Sequence, residues 1–304
     1  MSEHWTAQQI PDQTGRVAVV TGASSGLGLV TARELARAGA TVIMACRNLE
    51  KGERAARQVA GGVLERLDLA ELDSVRAFAE RFAANHARLD LLINNAGVMA
   101  PPRRVSADGF ESQLATNHLG HFALTGRLLA SLLAAPEPRV VTLSSTAHRI
   151  GRIDFDDLQG ERRYQPWRAY GQSKLANLMF CFELQRRASA AGTALRSMAA
   201  HPGYAATNLQ FAGPAHFYER AFMAVSNRVF AQSAEMGALP TLYAATVRDL
   251  PGGTFVGPDG FREQRGHPRV VAAAARAGDE GAWLRLWDVS EALTGVRYEF
   301  SPRS

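Results

Sequence analysis

The sequence predicts an α/β fold: one doubly wound domain over residues 1–304, with a seven-stranded, mostly parallel sheet and helices on both faces. Two observations carry this expectation. Short apolar runs alternate with stretches of helical periodicity along the chain, the pattern of a parallel α/β sheet. No repeat, low-complexity tract or linker divides that pattern, so one domain suffices.

The elements follow in order. RVAVV (16–20) is an apolar run ended by a Gly-rich turn and reads as a buried strand. Residues 27–38 repeat apolar positions at helical spacing and stop at Gly39. TVIMAC (41–46) is the second strand, and a helix over 50–60 closes at Gly61-Gly62. VLERLDL (63–69) is the third strand, 72–84 is helical, and DLLIN (90–94) is the fourth strand. A long helix fits 108–135, RVVTLS (139–144) is strand five, and the polar stretch 146–165 is a loop. A helix over 168–190, a strand over 194–200, a helix over 233–247 and a strand over 253–257 complete the sheet. In the C-terminal extension (258–304), Trp283, Leu284, Trp287 and Leu293 share roughly one helical face, which suits packing on the flank of the sheet.

Composition excludes several classes. Of 304 residues 46% are hydrophobic and 21% charged, which rules out disorder. The longest apolar run, 270–275, is far short of the ~20 residues a membrane helix needs, and the N-terminus lacks the pattern of a secretory signal. Cys46 and Cys181 build no disulfide framework and no zinc motif, and His118 and His121 suggest no third ligand. No metal is expected, and a reducing, cytoplasmic setting is. The net charge of +5 is scattered, without the dense basic patch of a nucleic-acid-binding protein.

The first turn, Thr21-Gly22-Ala23-Ser24-Ser25-Gly26-Leu27-Gly28, joins a strand to a helix N-terminus. Free N–H groups, the helix dipole and a backbone bare of side chains favour a pyrophosphate. Leu27 after Gly26 excludes a P-loop, which ends Gly-Lys-Ser/Thr. Gly22-Ala23-Ser24-Ser25-Gly26 also spells the nucleophile elbow of a hydrolase, although that elbow usually follows a later strand. A tight turn with no ligand is the third reading. At the end of strand two stands Cys46-Arg47-Asn48 where a carboxylate would hold the ribose of NAD. A guanidinium pairs with a 2′-phosphate, so NADP(H) is favoured over NAD(H); otherwise Arg47 is a surface residue.

Tyr170 and Lys174 lie four apart at the start of a helix and share a face. At ~5 Å and an effective dielectric of ~20 their attraction is ~3 kcal/mol, which would lower the phenol pKa by roughly 2 units. Such a pair is usually an exposed surface pair. Here it completes a series: TGASSGLG, Asn94-Asn95-Ala96-Gly97, Asn117, Ser145, then Tyr170 and Lys174, in that order. From about Arg16 to Thr207 this series resembles the short-chain dehydrogenase/reductase family. ACRNLEKG, LSSTAHRIGRIDFDDLQG, YGQSKLAN and HPG point to its retinol-dehydrogenase-like and WW-domain-oxidoreductase-like branch.

The resemblance implies a Rossmann-type domain and hydride transfer at a carbonyl or alcohol, without a metal. Tyr170 would be the general acid or base, and Lys174 would lower its pKa and hold the nicotinamide ribose. Ser145, rather than Ser144, would bond the substrate oxygen, and Asn117 would anchor a water leading from Lys174 to solvent. Gly22, Ser24, Ser25, Gly26, Leu27 and Gly28 would cradle the pyrophosphate, with Arg47 at the 2′-phosphate and Asp68 and Leu69 at the adenine. Asn94, as a structural and ribose-side residue, would line the ribose side with Ala96 and Gly97. Pro202, Gly203 and Thr207 would hold the nicotinamide. The stretch between Ser145 and Tyr170 is longer than in compact members. Several members of the branch carry an N-terminal membrane anchor, which is not carried over to this chain. Members often form dimers or tetramers through the helices of Tyr170 and Asn117, so a homo-oligomer is compatible with the sequence.

At the substrate end, residues 204–230 hold six aromatic side chains: Tyr204, Phe211, Phe217, Tyr218, Phe222 and Phe230. As a lid they suit an apolar aldehyde, ketone or alcohol; as ordinary packing they are core of a helical flap. The alternative to an enzyme is a catalytically silent NADP(H)-binding regulator, whose expected mark would be a broken catalytic set.

Overall fold

The computed structural model describes residues 4–204 and 232–300. One eight-stranded sheet has the order β3-β2-β1-β4-β5-β6-β7-β8. The strands are β1 (Val17–Thr21), β2 (Thr41–Cys46), β3 (Val63–Arg66), β4 (Leu91–Asn94), β5 (Arg139–Leu143), β6 (Arg196–Ala200), β7 (Phe255–Pro258) and β8 (Pro268–Val270). All neighbours pair in parallel except β7 and β8, which are antiparallel. The expected seven strands are all present, and β8 corrects the count. Three residues long, it starts with a proline that has no N–H and exposes its other two side chains, so no periodicity marks it.

The helices are α1 (Gly26–Arg37), α2 (Leu49–Ala56), α3 (Leu72–Asn85), α4 (Ser112–Leu114), α5 (Gly120–Arg127), α6 (Leu129–Leu133), α7 (Pro166–Ala190), α8 (Ala234–Thr246) and α9 (Glu280–Thr294). The single long helix expected over 108–135 is broken. The chain turns at left-handed Gly109, and the Glu111 carboxylate then caps α4 by accepting from the N–H groups of Gln113 and Leu114. A wide π turn over Ala115–Leu119 follows, marked by the Gly120 N–H donating five residues back to the Ala115 carbonyl. Such turns interrupt regular helix at functional sites often enough to direct attention to Asn117 inside it.

Alternation along β1 shows why both faces are covered. Ala18 and Val20 pack with Val30 and Leu35 of α1 and Leu242 of α8. Val19 points the other way, into Phe78 and Phe82 of α3, Phe122 of α5 and Leu184 of α7. Each such large side chain contributes roughly 1.5–3 kcal/mol on burial. The C-terminal helix α9 adds Trp287, edge-on to Phe122 at 5.0 Å between ring centroids. Leu284 is exposed and does not share that face; Leu286 is buried instead. Because β1 is flanked by β2 on one side and β4 on the other, the connections leave in opposite directions and open a crevice at the carboxyl ends of the strands. Among the described residues no helix is long and apolar enough to cross a membrane.

Candidate active site

The Gly-rich turn forms one wall of this crevice. Gly22 (φ +68°) and Gly26 (φ +55°) are left-handed, a conformation side chains oppose. Gly28 is needed for space, since a Cβ there would stand 2.5 Å from the Gly22 carbonyl oxygen and 2.5 Å from Asn95 Nδ2. Ser25, the N-cap of α1, makes no side-chain cap hydrogen bond, so the first N–H groups of the helix remain available. Ser24 and Leu27 are half-buried in the turn and Ser25 is exposed.

The end of β4 is locked onto this turn. Asn95 Nδ2 donates to the Thr21 carbonyl at 2.7 Å, and the N–H groups of Asn95 and Ala96 both donate to Thr21 Oγ1 at 2.9 Å. Asn94 faces the other way, fully buried, with Nδ2 donating to Thr125 Oγ1 and Thr142 Oγ1 at 3.1 and 3.4 Å. Its side chain therefore ties β4 to β5 and α5. That tie is the structural half of its expected role, since side chains alternate along a strand and the Asn94 side chain takes the inward position.

The opposite wall is α7. Tyr170 and Lys174 are both buried, one turn apart, with Lys174 Nζ 5.8 Å from the centroid of the Tyr170 ring. Gly151 lets the loop after β5 lie directly on this helix, since a Cβ there would come within 2.2 Å of the Gly171 carbonyl oxygen. That approach places Ser145 beside Tyr170, close enough for its hydroxyl to act on the phenol. Ser144 is committed elsewhere, donating to the Lys174 carbonyl at 2.8 Å. Asn117 completes the group. Its Nδ2 donates to the Val98 carbonyl at 3.0 Å and to Ser173 Oγ at 2.9 Å, and its Oδ1 accepts from the Val98 N–H at 2.8 Å. A Cβ on Gly97 would sit 3.1 Å from Asn117 Oδ1 and 3.4 Å from Lys174 Nζ. Asn117, Ser145, Tyr170, Lys174 and Gly97 thus meet in one place.

Burial dominates the electrostatics here. The Tyr170 phenol is pushed up to about 12 by loss of hydration, with the Ser145 hydroxyl acting in the opposite direction. Burial lowers the Lys174 ammonium to about 8. The expected fall of the phenol is therefore corrected: the attraction argument omitted the cost of removing a phenolate from water, and at this buried position that cost is the larger. Lys174 Nζ donates to the Leu143 carbonyl at 3.1 Å, a dipole partner in place of a counter-charge.

Toward the expected adenine end, Arg47 follows β2 as an exposed residue with no partner among the described residues, while Asn48 caps α2 by accepting from the Lys51 N–H. Strand β3 ends at Arg66, before Asp68 and Leu69. Asp68 Oδ1 accepts from the Ala70 N–H at 3.0 Å, and the buried Leu69 rests its carbonyl on Gly120, where a Cβ would stand only 2.2 Å away. Beyond β6, Gly203 is left-handed and donates its N–H to His201 Nδ1 at 3.2 Å. The Pro202 carbonyl accepts from Gln232 Nε2. Thr207 and the aromatic residues after Tyr204 in the expected lid lie outside the described residues.

Sequence reasoning missed Thr21, Asn95, His121, His201 and Glu263. Thr21 and Asn95 stand inside motifs already singled out, and His121 lies four residues after Asn117, within helical reach of its carbonyl. His201 and Glu263, bonded at 3.0 Å across 62 residues, left no local signal.

Residues 16–214 match the family profile described as short chain dehydrogenase. Retinol dehydrogenase 12 of Mus musculus is 41% identical over 302 residues, covering 97% of this chain and 90% of that protein. Retinol dehydrogenase 13 of Homo sapiens is 40% identical over 291 residues, covering 93% and 85%. The crystal structure of an uncharacterised protein from Mycobacterium paratuberculosis superposes with a TM-score of 0.83 at 49% identity, covering 98% of this chain and 100% of that one. The chain belongs to the short-chain dehydrogenase family, oxidoreductases that bind a nicotinamide dinucleotide and transfer hydride. Within that family it is retinol-dehydrogenase-like.

Proposed function

We propose that this chain is an NADP(H)-dependent oxidoreductase that interconverts an apolar aldehyde or ketone and its alcohol, with Tyr170 as general acid/base. The observation that carries the reading is the convergence of Ser145, Tyr170, Lys174 and Asn117 opposite the Gly-rich turn, across the crevice where a dinucleotide would lie. The crevice fits that cofactor: left-handed Gly22 and Gly26, the open N-terminus of α1 and the bare Gly97 leave backbone exposed where a pyrophosphate and riboses need it. When bound, the cofactor supplies the hydride. In this reading Gly22 to Gly28 hold the pyrophosphate, and Arg47 pairs with the 2′-phosphate. Asp68 and Leu69 face the adenine, and Ala96 and Gly97 line the ribose side. Pro202, Gly203 and Thr207 hold the carboxamide.

The chain's own groups then do the proton chemistry. Ser145 Oγ donates to the substrate oxygen as negative charge builds there. A phenol held near 12 keeps its proton throughout the neutral range, which suits Tyr170 as the acid of carbonyl reduction. Lys174 stays mostly charged at pH 7 and stabilises the phenolate left behind; Asn117 connects that ammonium to a relay of water. The names of the relatives point to retinol and retinal as first substrates to try. The two cysteines are buried and unpaired, which supports a cytoplasmic setting. The test is Tyr170→Phe. Turnover of retinal with NADPH should fall at least ~100-fold while NADPH binding stays within about twofold. Unchanged turnover would show that Tyr170 is not the acid, and failure to bind either NADPH or NADH would return attention to a Ser24 hydrolase. NADPH binding without turnover in the wild type would favour the silent regulator.

A further inference from the structure

Behind the catalytic group lies a polar side chain that the proposed reaction does not use. His121, on α5, is 1% exposed and enclosed by the ends of β1 and β4 and by the π turn. Its Nδ1 is 3.0 Å from the Asn117 main-chain carbonyl oxygen, and its Nε2 is 3.0 Å from Thr21 Oγ1. A carbonyl only accepts, so Nδ1 carries the hydrogen. The neutral ring then has a bare Nε2 that needs a donor. Thr21 Oγ1 already accepts from the N–H groups of Asn95 and Ala96, so its lone pairs are committed and its one hydrogen is free to point at the ring. The competing acceptor, the Ile93 carbonyl, is farther away at 3.3 Å. The hydrogen bonds thus run in one direction, from the end of β4 through Thr21 and the ring to Asn117.

We infer that His121 is a positioning residue: as the Nδ1-protonated neutral imidazole it fixes the Asn117 carbonyl to the Gly-rich turn, so that one buried ring sets the spacing between the cofactor wall and the catalytic wall. Burial, reinforced by the nearby Lys174 charge, holds the ring down to about 3, so this single protonation state persists throughout the working pH range. The ring touches none of the reacting atoms. Its effect passes through Thr21, which anchors Asn95 and Ala96, and through Asn117, whose side chain reaches Ser173 and so the first turns of α7. A leucine of similar size would fill the space and break both bonds. A glutamine, whose amide offers an NH2 donor and an oxygen acceptor, can span the same two partners.

This inference rests on the dehydrogenase reading for its kinetic effect, but its structural core can be tested without turnover. Long-range ¹H–¹⁵N correlation spectra of the wild-type protein should show His121 as the Nδ1–H tautomer from pH 5 to 9; an Nε2–H or doubly protonated ring overturns the inference. With NADPH and retinal, His121→Leu should lower kcat roughly tenfold with KM for the aldehyde within about twofold, and His121→Gln should recover to within about threefold of wild type. NADPH affinity, read by cofactor fluorescence, should weaken several-fold in His121→Leu and in Thr21→Val. The double variant should be no weaker than the worse single, because both remove the same bond. Additive losses, or a leucine variant with wild-type kcat, overturn the inference. If the wild type turns over no carbonyl substrate, the proposed function fails, while the tautomer and the coupled NADPH affinities still decide the role of His121.

Discussion

The two walls of the crevice are built by different means. The Gly-rich wall is made of backbone: left-handed Gly22 and Gly26, the close approach of Gly28 to Gly22, and N–H groups at an uncapped helix start. The α7 wall is made of side chains, with buried Tyr170, Lys174 and Asn117 and half-buried Ser145 packed together. The first is therefore intolerant of added atoms and the second of altered polarity. A wall of backbone binds whatever carries the right phosphate geometry, whereas a wall of side chains decides the chemistry.

Variants on each wall should separate these two kinds of construction. The largest effect is expected from Tyr170→Phe, with turnover down at least ~100-fold and the melting temperature nearly unchanged, since only the hydroxyl is lost. Gly28→Ala comes next. Its Cβ would meet the Gly22 carbonyl at 2.5 Å, so the turn must shift, at a cost of roughly 1–3 kcal/mol in denaturant unfolding and with a marked loss of NADPH affinity. A third test lies behind the proposed nicotinamide side. Glu263, held down to about 2, accepts from His201 Nε2 and from Arg149, pinning the turn after β7 to the loop after β5. Replacing it with alanine strands a buried imidazole N–H and should cost about 1–3 kcal/mol at pH 7. Because the carboxyl pKa is depressed on folding, that stabilisation is complete above about 4.5 and is lost as pH falls toward 2, so the variant and wild type should converge in stability in acid.

The smallest expected effect bears on cofactor choice: Arg47→Ala should reduce the preference for NADPH over NADH by about tenfold in binding titrations, leaving NADH affinity nearly unchanged. pH probes both walls together. His118, His121 and His148 are lowered by burial to about 4, 3 and 4. For each, the unfolded chain takes up a proton first, so stability is full above about pH 6.5 and declines as pH falls below it. A melting temperature flat from pH 6.5 down to 4 would show that these rings are not held neutral.

The sequence made the α/β alternation legible, and with it β1 to β7, because buried parallel strands are short apolar runs between amphipathic helices. It hid β8, whose pairing with β7 rests on backbone bonds made by a three-residue segment with two exposed side chains. The long helix over 108–135 looked continuous because its apolar periodicity survives the π turn, which adds one residue without changing the residue types. The spacing of Tyr170 and Lys174 was legible, but the direction of the phenol shift was not, because desolvation depends on everything packed around the pair. The partnerships of Asn95 and of His121 with Thr21 belong to tertiary contacts across 74 and 100 residues.

The central claim is hydride transfer to a carbonyl with the proton supplied by Tyr170. Its most direct test is turnover of NADPH deuterated at nicotinamide C4 with retinal, followed by mass analysis of the alcohol, for wild type and Tyr170→Phe. Product that gains one deuterium, formed at least ~100-fold more slowly by the variant at equal NADPH occupancy, is the expected result. Unlabelled product, or labelled product formed equally fast by both proteins, would contradict it.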